Sequence, residues 1–464
     1  MSRHSEDKGA GEGGDPPSVE TGGPKPRWPR RRLLRWALGM VPVAASGGWA
    51  TFEWLSGRWS GPKIESDEEA WANPVTQGAA MACFSNHPLV GSALEGILHS
   101  PPASRPARLL GACWALETGN WNRVRWHLAA PGIHDTIEAR LLLALAERQP
   151  SAPNWCQTFL DTWRALGRPD FRKSTILPKP LEWYRLLSEP GDAWETATEA
   201  QRFALAPLHL WGIEPHQEWV LEQVRASSSL PLLMALRELL YGTGAEAPVH
   251  QLLLSRVEER LGQLTGPSPR TLQLALVSFL AGSTPATPLE HRDLEALEKL
   301  VALPEWKQPS SESFFREMRT LFDGLLLAPG HHAWLMAASA QAVSLGSWLM
   351  LRAKASKAHL NGNDQQWLGK LLWEVGARLR EQGSNLELDM GLKLQVFGSE
   401  LTGHSPTREE SIGAWMELGQ WEDAVKQAAF YRWPLASLQE ESCAPRARDE
   451  RLWMKAFAGR GELP

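Results

Sequence analysis

The sequence predicts an all-α protein in which paired helices form a solenoid, behind one N-terminal transmembrane or signal helix. Segments of roughly 10–20 residues carry apolar side chains three and four positions apart, and Pro or Gly separates these segments. Strand signals are nearly absent, because the one Asn-Gly pair, at Asn361, lies between two helical patterns. Hydrophobic residues make up 43% of the 464 positions, which is enough to bury a sizeable core.

The N-terminal region divides into three predicted segments. Residues 1–31 are rich in Gly, Pro and Ser and end in arginines, so we expect a disordered tail with a basic end. Residues 32–55 form a predicted transmembrane anchor or signal segment, with no charge from Trp36 to Phe52. As a helix, this uncharged stretch spans about 26 Å, close to the hydrocarbon core of about 30 Å. Residues 56–74 are the predicted linker to the body.

The arginine block also resembles the twin-arginine export signal, in which two arginines precede apolar residues and a further base. The residues that carry the resemblance are Arg30, Arg31, Leu33, Leu34 and Arg35. The resemblance implies export, followed by cleavage if the segment is a signal. We favour an uncleaved anchor over a cleaved signal, and both alternatives deliver the body out of the cytoplasm.

Charge on the two sides of the segment predicts its orientation. Arginines precede it, whereas Glu65, Asp67 and Glu68 follow it. The positive-inside rule therefore predicts a cytoplasmic N-terminus and a single pass through the inner membrane. The body is expected on the periplasmic or other extracytoplasmic side. The membrane is thus a predicted partner through residues 33–55.

Two stretches of the body resemble the tetratricopeptide repeat. In residues 415–428, Gly419 occupies the turn position and Trp421 follows two positions later. In residues 112–128, a weaker match places Gly119 and Trp121 at the same spacing. The resemblance implies helix pairs that turn at the two glycines, with the indoles packed between helices. We divide the body into a first helical-repeat part, 75–305, and a second, 306–464, which ends in the repeat-like motif.

The uncharged stretch 324–351 allows two interpretations. A fully buried central helix is favoured, because Pro329, His331 and His332 would be costly in lipid. A second membrane span is the alternative.

Recognised catalytic and cofactor-binding patterns are absent from the sequence, including the P-loop, the dinucleotide-binding loop and the zinc-protease and hydrolase motifs. The pair His331-His332 has no acidic or cysteine ligand nearby in the chain. Four cysteines are too few and too scattered for a disulfide scaffold: Cys83, Cys113, Cys156 and Cys443. We expect Cys113 and Cys156 to be buried. The sequence therefore predicts no catalytic residue, no metal and no cofactor.

Tryptophan is unusually frequent, with 24 residues against 12 Phe and 3 Tyr. An aromatic surface for peptide or glycan is one interpretation of this composition. Packing between stacked helices is the simpler interpretation, above all for Trp121 and Trp421. Trp126 and Trp433 are the candidates for exposed residues that bind a partner.

The overall charge limits the function further. A net charge of −5 with a pI near 6.3 excludes a globally basic nucleic-acid binder. We predict a non-enzymatic, membrane-anchored adaptor or scaffold that binds other proteins in the cell envelope. One alternative is an exported all-α (α/α-toroid) carbohydrate-active enzyme with acids such as Asp192 and Glu214. A further alternative is a cytoplasmic regulatory repeat protein, which requires that the N-terminal segment is not inserted.

Overall fold

The computed structural model is helical throughout the part of the chain that it describes. It describes residues 66–85, 90–98, 103–148, 154–179, 193–208, 216–242, 248–265, 271–302, 311–326, 328–341, 344–459 and 463. These residues contain no β-strand, so the predicted all-α class is confirmed for them. They belong to one structural unit, which begins at Arg58. The predicted tail and membrane segment lie outside the described residues.

Twenty-one α-helices are described, numbered here in chain order. The first seven are α1 (Asp67–Ala72), α2 (Pro74–Ser85), α3 (Val90–Leu98), α4 (Arg105–Glu117), α5 (Trp121–Leu128), α6 (Ile137–Arg148) and α7 (Trp155–Ala165). The next seven are α8 (Ala193–Thr196), α9 (Glu199–Leu205), α10 (Gln217–Ala226), α11 (Leu230–Gly242), α12 (Pro248–Thr265), α13 (Leu272–Leu280) and α14 (His291–Val301). The last seven are α15 (Ser311–Phe322), α16 (Pro329–Ser339), α17 (Ser344–Ser356), α18 (Gly362–Arg380), α19 (Asn385–Thr402), α20 (Ser405–Gln427) and α21 (Ala436–Phe457).

Many helices begin at a side chain that satisfies the free N–H groups of the first turn. Ser66 accepts a hydrogen bond from the N–H of Glu69, whose carboxylate accepts one from the N–H of Ser66. Single caps of the same kind are made by Ser104, Asn120, Asn154, Thr271, Asn361 and Ser384. The positions where these helices start are therefore encoded locally.

The two repeat-like motifs have different structures. Gly119 lies in a turn between α4 and α5 with a φ of +67°, as predicted. The predicted turn at Gly419 is wrong, because α20 continues through this residue for 23 residues without interruption. The residue that follows each glycine explains the difference. Asn120, after Gly119, caps the N-terminus of α5 with its side chain, whereas Gln420, after Gly419, is a poor N-cap residue.

The hairpin of α18 and α19 depends on two glycine pairs. Gly369 faces Gly398, and Gly376 faces Gly391, so the backbones touch where no side chain intervenes. A Cβ on Gly376 would lie 2.5 Å from the carbonyl oxygen of Gly391. In both helices the glycines are seven residues apart, which returns them to the same face.

The stretch 324–351 does not form the single buried helix that the sequence suggested. It contains all of α16 and the first part of α17, which are separate helices. By length and hydropathy, Pro329–Ser356 qualifies as a candidate membrane span, a weak indication that buried core helices also give. Arg352 in α17 is 4% exposed, and its guanidinium pairs with the carboxylate of Asp293 in α14 at 3.2 Å.

Buried apolar side chains form three clusters. The first is formed by side chains of α1, α2, α3 and α4. The second is formed by side chains in the range 194–401, together with Cys443 and Ala447 of α21. The remaining cluster combines α4–α7 with α19–α21. Helix α21 contacts α2, α7, α15, α16 and α20. Residues far apart in the chain therefore share one core, in addition to the contacts between consecutive helices that a solenoid contains.

Glutamates of one helix bind the N-terminus of another at several of these contacts. On α21, Glu440 accepts hydrogen bonds from two N–H groups of α16, and Glu441 accepts from two N–H groups of α7. Glu450 accepts from the first N–H of α19. Glu117 and Glu238 bind the first turns of α21 and α17 in the same way. A carboxylate is favourable there because the N–H groups are unpaired within the helix and the helix dipole is positive.

Candidate interaction surfaces

The residues predicted to bind a membrane or a partner fall into two groups. Only Trp126 and Trp433 lie in the described part of the chain. The residues of the export motif lie outside it: Arg30, Arg31, Leu33, Leu34 and Arg35.

Trp433 is fully buried, so its predicted exposure is wrong. Its ring packs edge-to-face against Phe159 and Phe171, with ring centroids 6.1 and 5.2 Å apart. Its Nε1–H donates to the carbonyl of Ala428 at 3.2 Å, which satisfies the one polar group of the indole. The neighbouring Arg432 suggested a surface position, but this arginine is itself bound by backbone carbonyls.

Arg432 organises the loop that follows α7, a role that the sequence does not reveal. Its guanidinium donates five hydrogen bonds of 2.7–3.1 Å to backbone carbonyls of Phe171, Arg172, Ser174, Leu177 and Pro178. All five N–H groups of the side chain are thereby used. Backbone acceptors have no residue signature, and they lie 254–261 residues from Arg432 in the chain. No local pattern could therefore have identified this contact.

The side chain of Trp126 lies on the outer side of α5 and is 60% exposed, so its predicted exposure is confirmed. The guanidinium of Arg108, on α4, lies 4.7 Å from the centroid of the indole. This cation–π contact holds the ring in place without covering it. The other side of α5 is anchored by Val124 and Leu128, which are buried. Trp126 is thus a fixed aromatic group at the surface.

The surroundings of Trp126 are positively charged. We define the Trp126 patch as Arg108, Arg123, Arg125 and Trp126; its three arginines form no ion pair within the described residues. Between residues 103 and 130, Glu117 is the one acidic residue in the sequence. Its carboxylate is directed away from the patch, to the N–H of Ser437 at 2.9 Å.

A buried histidine lies beneath the patch. Burial, with help from Arg108 and Arg123, lowers the pKa of His127 to about 4. His127 is therefore neutral near pH 7, and the charge of the patch comes from its arginines. Its ring also fills the space above Gly111, where a Cβ would lie 2.6 Å from the imidazole.

Helix α20 presents a second surface, of opposite charge. We define the α20 outer face as Glu409, Met416 and Asp423, together with Trp415 at its edge. The carboxylate of Asp423 pairs with Arg172 at 2.6 Å. Met416 is 66% exposed and Trp415 is 43% exposed, whereas Leu418, Trp421 and Val425 on the inner side are buried. Trp415 donates from Nε1 to Asp389 at 2.9 Å, which fixes its ring. The helix carries five acids and two bases: Glu409, Glu410, Glu417, Glu422, Asp423, Arg408 and Lys426.

The buried polar residues form structural contacts. Burial, followed by His332 and Arg446, lowers the pKa of His331 to about 3, so the imidazole is neutral near pH 7. Arg446 stacks on Trp334 at 3.6 Å. Among the described residues, no group of three or more His, Cys, Asp or Glu side chains is arranged to hold a metal ion.

The four cysteines are buried, which confirms the prediction for Cys113 and Cys156. Burial raises the pKa of every one of these thiols, which disfavours the reactive thiolate: Cys83, Cys113, Cys156 and Cys443. The acids named for the alternative enzyme, Asp192 and Glu214, lie outside the described residues.

Comparisons with known proteins identify no relative. No protein-family model, curated protein or solved structure matches the chain. The two surfaces are therefore interpreted from their own geometry and charge.

Proposed function

We propose that this chain is a single-pass, membrane-anchored, non-enzymatic adaptor that binds a partner protein in the cell envelope through the α20 outer face. The observation that carries the proposal is the side chain of Met416, 66% exposed in the middle of a 23-residue helix. The predicted anchor at residues 32–55 supplies the membrane attachment. The absence of catalytic patterns from the sequence supports a binding role.

The chemistry of this face favours a protein partner. Methionine is flexible and polarisable, and it fits apolar surfaces of different shapes. A fixed tryptophan beside it supplies a large contact area at little entropic cost. Because acids border these two residues, the partner is expected to offer an apolar contact bordered by lysine or arginine.

A degenerate tetratricopeptide-like solenoid is the architecture that we propose for the first part of the body. Its support comes from α4–α7, where each helix contacts the next and α4 also contacts α6. Stacking of this kind builds an extended surface from consecutive helix pairs.

Photo-crosslinking in the native membrane tests the binding role. The full chain, with a C-terminal tag, carries a photoreactive amino acid at Gln420, which is exposed on α20. We expect one defined crosslinked product, and we expect Met416→Arg to abolish it. The same photoreactive group at Gln251, exposed on α12, is the matched control and should give no such product.

Two results would contradict the adaptor proposal. One is a set of products that is the same from Gln420 and Gln251. The other is a product that Met416→Arg leaves unchanged. Carbonate extraction and protease treatment of the C-terminal tag test the anchor separately, because they do not depend on α20.

A further inference from the structure

The Trp126 patch combines two properties that suit the surface of a charged bilayer. Among the residues that the structure describes, no carboxylate pairs with its three arginines, and its tryptophan is held outward by Arg108. Tryptophan is enriched at membrane–water interfaces, where its ring lies at the level of the headgroups. Arginines close to a bilayer are attracted to anionic lipids.

The position of the patch in the chain favours the same occupant. Helix α4 begins at Arg105, whose Nε–H donates to Asp67 of α1 at 3.0 Å. The predicted membrane segment ends at residue 55, so about 11 residues separate it from α1. Fully extended, these residues reach at most roughly 40 Å. The helix pair that carries the patch is therefore bound to α1, the first helix described after the predicted anchor.

The form of the surface also matters. Peptide ligands are commonly held in a groove or at the edge of a sheet. The patch is instead the outward side of an eight-residue helix with one arginine from its neighbour. An outward helix face with a central indole and surrounding arginines can lie flat on a bilayer.

We propose that the Trp126 patch docks on anionic phospholipid headgroups of the bilayer that holds the predicted anchor. The proposal rests on the proposed function, because the anchor brings the patch to the membrane. Docking orients the body on the bilayer and leaves the acidic α20 outer face for a partner protein. Each arginine contributes about fivefold to the ratio of docked to undocked molecules.

The experiment uses the full chain in vesicles and a fluorophore beside the patch. Ala129→Cys places an exposed thiol at the end of α5, and maleimide labelling is selective because the native cysteines are buried. The vesicles contain phosphatidylcholine alone or with about 30% phosphatidylglycerol, and each carries a headgroup-proximal spin-labelled lipid as quencher. We expect quenching in the anionic vesicles and its loss in high salt.

Charge-matched variants make the measurement specific. We expect Arg123→Gln to lower the docked-to-undocked ratio about fivefold. We expect no change from Arg225→Gln, an exposed arginine on α10 that forms no ion pair in the described part of the chain. Trp126→Ala should also reduce quenching, which separates interfacial insertion from charge alone.

The outcomes separate this proposal from the anchor. A chain that floats with both kinds of vesicle but shows equal quenching in both overturns the docking proposal alone. A chain that floats with neither overturns docking and anchoring together. A label that responds to a deca-glutamate peptide in solution but not to anionic lipid assigns the patch to an acidic protein segment and overturns the lipid assignment.

Discussion

At the scale of single residues, the side chain of Arg432 stands out because it donates five hydrogen bonds to backbone carbonyls. A planar guanidinium can direct five N–H groups at once, and the loop after α7 supplies five carbonyls. Lysine offers three donors from one nitrogen and cannot reach the same set. The loop also binds α1, because Thr175 donates to Asp67 at 2.6 Å. Arg432 therefore connects the segment between α20 and α21 to the loop that binds α1, the first helix that the structure describes.

We expect Arg432→Lys to lower the free energy of unfolding by about 3 kcal/mol, because carbonyls are left without donors. Chemical denaturation measures the loss, and hydrogen exchange should increase at residues 171–177. Arg225→Lys, on the exposed side of α10, is the control and should change neither measurement. An unchanged denaturation midpoint in Arg432→Lys would contradict the role of the five contacts.

The glutamates at helix N-termini give the fold a defined response to pH. Burial raises the pKa of Glu441, although hydrogen bonds from Trp155 and Cys156 lower it. The folded state therefore holds this proton more tightly than the unfolded state. The free energy of unfolding then decreases as the pH rises from the unfolded to the folded pKa, and it is constant with respect to this group above that interval.

Glu441→Gln should remove this part of the pH dependence. The variant keeps one acceptor oxygen for α7 but has no charge to desolvate. We subtract the free energy of unfolding of the variant from that of the wild type. We expect this difference to be largest in acid and to fall toward neutral pH. Urea denaturation at several pH values measures it, with the exposed Glu409→Gln as control. A difference that increases with pH would show that the hydrogen bonds outweigh burial.

At the scale of helices, the glycine pairs of α18 and α19 set how closely the backbones approach. We expect Gly376→Ala to cost about 2 kcal/mol, because the added Cβ would lie 2.5 Å from a backbone oxygen that cannot move alone. Gly413→Ala, on α20 with nothing within 4 Å, should instead stabilise by up to about 1 kcal/mol. Thermal or chemical denaturation compares the two. Equal effects would mean that the helices of the hairpin can separate freely.

Gly119 and Gly419 provide a second comparison, since the sequence presents them as equivalents. At Gly119, with φ of +67°, alanine adopts a strained conformation and should destabilise by about 1 kcal/mol. At Gly419, inside α20 and in open space, alanine should stabilise by a similar amount. Denaturation of both variants tests the assignment. Destabilisation by Gly419→Ala would restore the turn that the repeat resemblance implied.

These helices show which features can be predicted from the sequence. Helix starts at Ser66 and Asn120 follow from side chains that act within three residues, so local patterns reveal them. The turn predicted at Gly419 is not formed, because a glycine permits a turn without requiring one. The pairing of Gly369 with Gly398 could have been noticed from the seven-residue spacing in both helices. Which of two tryptophans is buried, Trp126 or Trp433, depends on tertiary packing that no local spacing records.

At the scale of the whole molecule, α21 holds together parts that lie far apart in the chain. Its carboxylates bind the N-termini of α7, α16 and α19, and Trp453 and Phe457 enter the cluster that contains α4–α7. Glu117 and Ser437, which join α4 to the start of α21, are 320 residues apart. Loss of α21 should therefore affect helices at both ends of the body.

Truncation of the chain after Leu435 tests this dependence directly. The truncated chain lacks the acceptors for the first N–H groups of α7 and leaves part of its apolar side exposed, so we expect rapid hydrogen exchange at residues 155–165. Truncation after Gly459, which retains α21, is the control and should preserve slow exchange there. In an array stabilised only by neighbouring repeats, removal of α21 would change exchange mainly in α20, since distant helices would keep all their contacts. Slow exchange in α7 after truncation at Leu435 would therefore favour such an array. Loss of protection in α7 would instead identify α21 as part of the core that contains α7.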